Sequence, residues 1–201
     1  NDRISLFVEA KSQQPIVFVN DSLFYKNSKR FQLKQTDFPG KLNEYLPISI
    51  AKKTYLVHSG CGPVLEFRND SLVRIDNSYL HNSQFGNTSF VYNNQIHYFG
   101  GYGLFTYKNI ITRYDFKNGE WNQEQTYGEE FPEARCCEVF SFRKNDHLYI
   151  FGGVANDPKN IREVNDVKPI VWDLDLTTMT WKKMGTYNSA LMSSQYNGVQ
   201  I

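Results

Sequence analysis

One six-residue segment recurs along the chain at a regular interval, and this repeat constrains the fold more than any other feature. Phe18–Leu23 returns 49 residues later as Phe67–Leu72, and after another 49 residues as Phe116–Trp121. A fourth copy, Leu176–Trp181, begins 60 residues after the third, so extra residues are inserted between these two copies. Self-similarity at a fixed period of this size is the signature of a repeat architecture, in which each unit packs against its neighbours.

Each repeat is predicted to consist of β-strands joined by tight turns. Every copy places turn-forming residues between apolar ones, as Asn-Asp or Asn-Gly does in a hairpin. A second recurring segment, or mark, is an apolar strand that ends in a Gly pair. It occurs as Ile96–Gly101 and 52 residues later as Leu148–Gly153, and Tyr55–Gly60 is a diverged copy. A further hairpin precedes each mark, and no stretch of 11 or more residues has the apolar spacing of a helix. The sequence therefore predicts an all-β fold with four antiparallel strands in each unit of about 50 residues.

The residues around these marks resemble the Kelch repeat. The shared pattern is an apolar strand, a Gly pair, a strand ending in Asp, and Trp six residues after that Asp, as in Asp115–Trp121 and Asp175–Trp181. The resemblance is strong over residues 86–185 and weaker over 50–80, where Leu72 replaces Trp. It implies a β-propeller of four-stranded antiparallel blades, as in galactose oxidase-like proteins. It also implies packing roles for the repeat residues Gly60, Gly100, Gly101, Gly152, Gly153, Trp121 and Trp181.

The whole chain, residues 1–201, is predicted to be a single Kelch-type region. Its repeats cover approximately residues 4–35, 47–80, 86–126 and 136–185, and residues 190–201 look like the start of a further blade. Two interpretations stay open. One is a part of a larger propeller, whose unpaired blade edges would be exposed, and the other is a small closed ring of about four blades.

The resemblance places the ligand face on the loops that leave the Gly pairs and on the segments that link successive blades. The long loop 154–168 carries the candidates Asn156, Asp157 and Arg162. Long polar loops on a rigid scaffold often carry function, although neutral insertions also accumulate there.

The segment that links two of the blades, residues 131–135, supplies further candidates. It carries Glu133 and Arg135, and its Pro-x-x-Arg pattern resembles an inter-blade loop whose Arg points to the ligand face. The planar guanidinium suits carboxylates and phosphates. The alternative role of this Arg is to bridge adjacent blades through backbone carbonyl groups. His81 completes the set of ligand-face candidates.

A protein or peptide is the predicted partner, bound by loops on one face of the propeller. Carbohydrate is the alternative ligand class, since some Kelch propellers are sugar oxidases or sialic-acid mutarotases. A mutarotase or epimerase needs a few acid and base groups in the central pocket, for which Glu133, Arg135 and His81 are the candidates. A third alternative is the sensory ectodomain of a larger receptor. The sequence assigns no catalytic residue, metal site or cofactor, so a binding module is favoured over an enzyme.

The composition argues against two partner classes. The 22 Lys and Arg residues balance 21 Asp and Glu residues, so the formal net charge of +1 provides no field to attract nucleic acid. No apolar run approaches the roughly 18 residues that span a bilayer, so we expect a soluble segment without membrane insertion. The compartment stays open, either cytoplasmic or extracytoplasmic after removal of a signal peptide. The three Cys residues do not form a disulfide framework, and one of the adjacent pair Cys136 and Cys137 should be buried.

Overall fold

The computed structural model describes residues 4–20, 23–32, 39–79, 83–157 and 163–188. Within these ranges the chain forms four antiparallel sheets of four main strands each, and it contains no α-helix. A single 3-10 turn, Leu42–Glu44, precedes the second sheet. The prediction of an all-β fold with four-stranded antiparallel sheets is therefore confirmed.

In every sheet the main strands lie side by side in chain order. Sheet 1 consists of β1 (Ile4–Val8), β2 (Pro15–Val19), β3 (Leu23–Lys26) and β4 (Lys29–Gln32). Sheet 2 consists of β5 (Tyr45–Ile50), β6 (Lys53–His58), β7 (Val64–Arg68) and β8 (Ser71–Arg74). Sheet 3 consists of β9 (Thr88–Tyr92), β10 (Gln95–Phe99), β13 (Ile111–Asp115) and β14 (Glu120–Glu124), and the small hairpin of β11 (Tyr102–Gly103) and β12 (Thr106–Tyr107) follows β10. Sheet 4 consists of β15 (Cys136–Lys144), β16 (His147–Asn156), β18 (Ile170–Asp175) and β19 (Thr180–Thr186), and β17 (Val164–Asp166) pairs with the far end of β16.

The turns that join the third and fourth strands differ in length between the sheets, and the repeat pattern in the sequence does not indicate this difference. In sheet 2 the turn has two residues, Asn69 and Asp70, both with left-handed backbone at φ 50° and 56°. In sheets 3 and 4 the turn has four residues and follows Asp115 or Asp175. Each of these carboxylates accepts a hydrogen bond from the backbone N–H two residues later, at 2.8 Å. The Asp of the repeat pattern therefore closes the turn, and the hydroxyl and N–H of Thr177 lower the pKa of Asp175 to about 2.

The four sheets stack face to face in chain order. We call the face that a sheet turns toward the following sheet its forward face, and the opposite face its backward face. Neighbouring residues of a strand point to opposite faces, so β10 has Tyr98 on its backward face and Phe99 on its forward face. Three buried cores result, one between each pair of consecutive sheets. Their members include Phe18, Phe24 and Phe67 between sheets 1 and 2, Tyr55, Val57 and Tyr98 between sheets 2 and 3, and Phe99, Ile150 and Trp181 between sheets 3 and 4.

The aromatic residues of the repeat contact the preceding sheet. Trp121 donates a hydrogen bond from Nε1 to the carbonyl oxygen of Gly62 in sheet 2 at 2.8 Å. The indole ring of Trp181 lies with its centroid 5.2 Å from that of Phe99 in sheet 3. Both Trp residues therefore fill space between two sheets, which is the contact that a packing role requires.

Removing a ring from the first core should destabilise the stack. Phe67 is buried, and its ring centroid lies 5.5 Å from that of Phe7 and 5.9 Å from that of Phe24. We expect Phe67→Ala to lower the free energy of unfolding by about 4 kcal/mol, because it leaves a cavity. The matched control is Phe105→Ala at an exposed position, which should stay within about 0.5 kcal/mol of the wild type. Equal effects of the two changes in urea unfolding would contradict the assignment of Phe67 to the core.

A buried histidine should make the stack sensitive to acid. Burial lowers the pKa of His97 to about 4, against about 6.5 in an unfolded chain. Because the folded state disfavours the charged ring, the contribution of His97 to stability is complete above pH 6.5 and is lost as the pH falls from there towards 4. We expect this residue alone to reduce the free energy of unfolding by about 2 kcal/mol between pH 7 and pH 5.

The measurement is urea unfolding at both pH values for the wild type and for His97→Phe, which keeps a ring against Phe90. The variant should lose less stability at pH 5 than the wild type does. Part of the acid sensitivity should remain, because burial also lowers the pKa of His58. The same loss in both proteins would show that His97 does not resist protonation in the folded state.

Candidate binding site at the loop end of the sheets

Four of the predicted ligand-face residues, Glu133, Arg135, Asn156 and Asp157, lie within the described ranges, and they lie around the Gly pairs at one end of the sheets, which we call the loop end. The segments that lead into sheets 3 and 4 cross the Gly pair of sheet 3 at short range. A Cβ atom on Gly101 would lie 2.6 Å from the backbone of Gln84, and one on Gly100 would lie 2.7 Å from the carbonyl oxygen of Arg135. The φ angles are also positive, 72° for Gly100 and 100° for Gly101. Glycine is therefore required where the two inter-sheet segments meet the end of β10.

Gly60, in the diverged copy of the Gly pair, also meets an inter-sheet segment. Its carbonyl oxygen accepts hydrogen bonds from the N–H groups of Ser83 and Gln84, at 3.0 and 3.3 Å. A Cβ atom on Gly60 would lie 2.7 Å from the ring of Phe85. The segment that leads into sheet 3 is therefore held against sheet 2 at this point.

Arg135 is buried, with 1% of its surface exposed. Its Nε donates a hydrogen bond to the carbonyl oxygen of Glu133 at 3.0 Å, and its Nη1 donates to the carbonyl oxygen of Gly152 at 2.9 Å. The carbonyl oxygen of Arg135 accepts a hydrogen bond from the N–H of Gly101 at 2.8 Å. Burial lowers the pKa of the guanidinium to about 10. These contacts are those of the bridging role, because Arg135 ties the Gly pairs of sheets 3 and 4 together through backbone carbonyl groups.

Glu133 forms an ion pair with Lys168. The Lys168 Nζ lies 2.9 Å from Oε1 of Glu133, and the backbone N–H of Lys168 donates to Oε2 at 3.2 Å. Burial raises the pKa of Glu133, but the bonds from Lys168 outweigh it and hold that pKa below its usual value. The pair joins the segment before sheet 4 to the strand connection that follows β17.

Two hairpins project from the loop end, and the one formed by β11 and β12 has an apolar tip. Its two turn residues, Leu104 and Phe105, are 69% and 92% exposed. Their φ angles of 52° and 63° are left-handed, a conformation for which Asn and Gly are preferred in two-residue turns. Behind the tip, Tyr102 exchanges two backbone hydrogen bonds with Phe85, at 2.8 and 2.9 Å. The tip is therefore held by a paired hairpin that is anchored to the segment before sheet 3.

Sequence analysis does not identify this apolar tip as a candidate. The signal for it is an apolar pair, Leu104-Phe105, in a connection between two strands where turn residues are usually polar. Its exposure follows from the pairing of β11 with β12, which the short segment alone does not predict.

The second hairpin is polar and extends sheet 4. β16 continues past its Gly pair to Asn156, where it pairs with β17. The carboxylate of Asp157 accepts a hydrogen bond from the side chain of Asn165 at 3.1 Å, and its backbone N–H donates to the carbonyl oxygen of Glu163 at 2.9 Å. The structure therefore places Asn156 and Asp157 at the loop end. The other two candidates, Arg162 and His81, lie outside the described residues.

A cavity of about 370 Å³ opens among the first strands of sheets 2, 3 and 4. Its polar lining consists of hydroxyl and amide side chains, and none of the described lining residues is acidic or basic. Asn87 donates two hydrogen bonds from Nδ2, to the carbonyl oxygens of Ser59 and Gln84, both at 2.7 Å. Its buried Oδ1 has no hydrogen-bond partner in the described part of the chain. The lining residues are Leu46, Pro47, Ser59, Gly86, Asn87, Thr88, Ser89, Val139 and Ser141.

The adjacent cysteines at the start of β15 differ in exposure, as predicted, although the register of β15 shifts here and Cys137 has left-handed backbone at φ 51°. Cys136 is buried and Cys137 is exposed. Burial raises the pKa of the Cys136 thiol to about 12, so this thiol is protonated at neutral pH. The described ranges contain no group of three His, Cys, Asp or Glu side chains that could hold a metal ion.

No protein-family model matches the chain, and no curated protein matches it. No helix in the described ranges is long and apolar enough to cross a membrane. The geometry of the loop end is therefore the basis for assigning a function.

Removal of the buried guanidinium should destabilise the loop end. In Arg135→Met the carbonyl oxygens of Glu133 and Gly152 lose their donors while the aliphatic stem is kept. We expect the free energy of unfolding to fall by about 3 kcal/mol. The matched control is Arg143→Met, because Arg143 also donates to a backbone carbonyl, that of Asn145 at 2.7 Å, but is exposed. The control should lose less than about 0.5 kcal/mol in the same urea titration. A stable Arg135→Met protein would argue against the bridging role.

Proposed function

We propose that the chain is a Kelch-type β-propeller region in which the four sheets are blades. Support comes from the contacts of the repeat residues. The Gly pair of sheet 3 accommodates the inter-sheet segments, Asp115 and Asp175 close turns, and Trp121 and Trp181 pack on the preceding sheet. The face-to-face stacking of four-stranded antiparallel sheets in chain order is also what a propeller requires.

We further propose that the region is a binding module that recognises a protein or peptide at its loop end. The observation that carries this proposal is the apolar hairpin tip, Leu104-Phe105, which is highly exposed. Left-handed backbone costs a residue with a side chain roughly 1–2 kcal/mol, so two bulky apolar residues destabilise this turn relative to Asn or Gly. The exposed pair gains no burial in return. Burial of this pair against a partner explains its presence, because large apolar and aromatic anchors supply most of the binding free energy of protein interfaces.

The surroundings of the tip also favour recognition of a polypeptide. Tyr102 and Phe85 lie behind the tip and are each more than one third exposed, so the aromatic surface continues from the hairpin onto the inter-sheet segment. The polar hairpin with Asn156 and Asp157 supplies hydrogen-bonding groups at the same end. An apolar centre with polar groups around it is the usual composition of a protein interface.

The alternative function as a sugar mutarotase or epimerase has less support. Of its candidate acid and base groups, Arg135 is buried with two hydrogen bonds to carbonyl oxygens, and Glu133 is paired with Lys168. The cavity among the first strands is lined by hydroxyl, amide and apolar groups. Proton transfer needs an acid or base within hydrogen-bond reach of the substrate, and the described residues of this lining include neither.

Selection of binding peptides tests the proposal. Peptides selected from a phage-displayed random library on the immobilised protein would be labelled and titrated by fluorescence anisotropy against the wild type and against Leu104→Ser/Phe105→Ser. We expect the double variant to bind at least about tenfold more weakly, because both anchors are lost.

The matched control removes an equally exposed ring at the other end of the sheets. Tyr79 is 89% exposed and follows Asn77, which hydrogen-bonds to the β13–β14 turn at 2.7 Å, so Tyr79→Ser should leave the affinity unchanged. If the peptides bind the hairpin variant as tightly as the wild type, the recognition surface lies outside the Leu104-Phe105 tip. A selection that enriches no peptide would count against polypeptide recognition.

A further inference from the structure

The two adjacent cysteines at the start of β15 lie on a β-bulge. Cys136 pairs with Val154 of β16, and the next paired residue of β15, Val139, pairs with Gly152. This segment of β15 therefore contains one residue more than the segment of β16 that it faces. Cys137 lies within the bulge, and its backbone is left-handed at φ 51°, a conformation that is unfavourable for a residue with a side chain. Bulges change the direction in which side chains point, so the usual separation of adjacent strand side chains does not hold here.

The side chains of these two cysteines contact each other. The thiol of Cys136 forms a hydrogen bond with the sulfur of Cys137, although Cys136 is buried and Cys137 is exposed. Burial and then this hydrogen bond raise the pKa of the Cys136 thiol, so the proton of the bond belongs to Cys136 and the sulfur of Cys137 accepts it. A reagent in solution therefore reaches Cys137 first, and the sulfur of Cys136 lies directly behind it.

The segment that leads into sheet 3 holds Cys137 in this position. The backbone N–H of Cys137 donates a hydrogen bond to the carbonyl oxygen of Gly86 at 2.7 Å. A Cβ atom on Gly86 would lie 2.6 Å from Sγ of Cys137, so this sulfur occupies the space that a side chain at residue 86 would need. Because the fold keeps the two thiols in contact, a reaction between them has the advantage of an intramolecular step.

We propose that Cys136 and Cys137 form a redox-active dithiol, which a low-molecular-weight disulfide oxidises to a disulfide between the two adjacent residues. In the first step the thiolate of Cys137 attacks one sulfur of the reagent, so that a mixed disulfide forms, the reagent's S–S bond breaks and one reagent thiol leaves. In the second step the sulfur of Cys136 attacks that of Cys137, and the second reagent thiol leaves. The two protons and two electrons lost by the cysteines are then carried by the two molecules of reagent thiol.

The disulfide formed in this way should open readily. The Cα atoms of adjacent residues are about 3.8 Å apart across a trans peptide, whereas most disulfides join Cα atoms that are about 4.4–6.8 Å apart. A disulfide in so small a ring is strained, and strained disulfides are the ones that thiols reduce easily. The site is therefore suited to reversible modification. This inference does not depend on the binding function proposed above.

Intact-mass measurement after treatment of the folded protein with oxidised glutathione tests the proposal. We expect the wild type to lose two hydrogen atoms and to retain no glutathione, and peptide mapping should place the new bond between Cys136 and Cys137. An excess of reduced glutathione should restore the starting mass. Cys136→Ser should stop at the mixed disulfide, with one glutathione on Cys137, because it lacks the thiol that displaces it.

Two further variants are the controls. Cys137→Ser should react at least about tenfold more slowly than the wild type, because its remaining thiols, those of Cys61 and Cys136, are both buried. In urea the same variant should accept glutathione on both thiols, which would show that the fold protects them. Cys61→Ala removes the third thiol of the chain and should give the same product as the wild type.

Three outcomes would overturn the proposal. A wild type that retains one glutathione, as expected for Cys136→Ser, would show that the two thiols do not close to a ring. A disulfide that involves Cys61 or joins two chains would show that the adjacent pair is not the reactive one. A wild type that reacts no faster than Cys137→Ser would show that Cys137 is not the thiol that the reagent attacks.

Discussion

Strands that are apolar on both faces impose the architecture of this protein. In β10, Tyr98 and Phe99 point to opposite sides, and both are fully buried. A sheet made of such strands cannot leave one face in water without exposing a large apolar surface, so it requires a neighbour on each side. Sheets 2 and 3 have both neighbours. The stack and its three cores follow from this requirement.

Stacking creates a second constraint at the loop end, where the chain must pass from one sheet to the next. The passing segments lie against the Gly pair of sheet 3 so closely that a side chain on Gly100 or Gly101 would collide with backbone atoms. A buried backbone crossing must also satisfy its carbonyl groups. Arg135 supplies donors to two of them, which explains why a charged residue is buried among apolar sheets.

The residues of the repeat motif and the surface that we assign to recognition are therefore different sets. Trp121 and Trp181 pack between sheets, and Gly100 and Gly101 accommodate the inter-sheet segments at the loop end. The apolar tip of the β11–β12 hairpin lies outside the motif and projects from the scaffold, where it adds nothing to the cores.

The sequence by itself determined the all-β class, the four strands per repeat and the position of most turns, because alternation of apolar residues and turn chemistry act over a few residues. It also indicated where the inter-sheet segments lie. Only the tertiary structure decided that the turn at Asn69-Asp70 is two residues shorter than the corresponding turns of sheets 3 and 4, that Arg135 is buried and that Leu104-Phe105 is exposed. The burial of Arg135 and the exposure of Leu104-Phe105 depend on contacts between residues far apart in the chain, such as Arg135 with Gly152 and Phe85 with Tyr102, and a local pattern contains no information about which distant groups will meet.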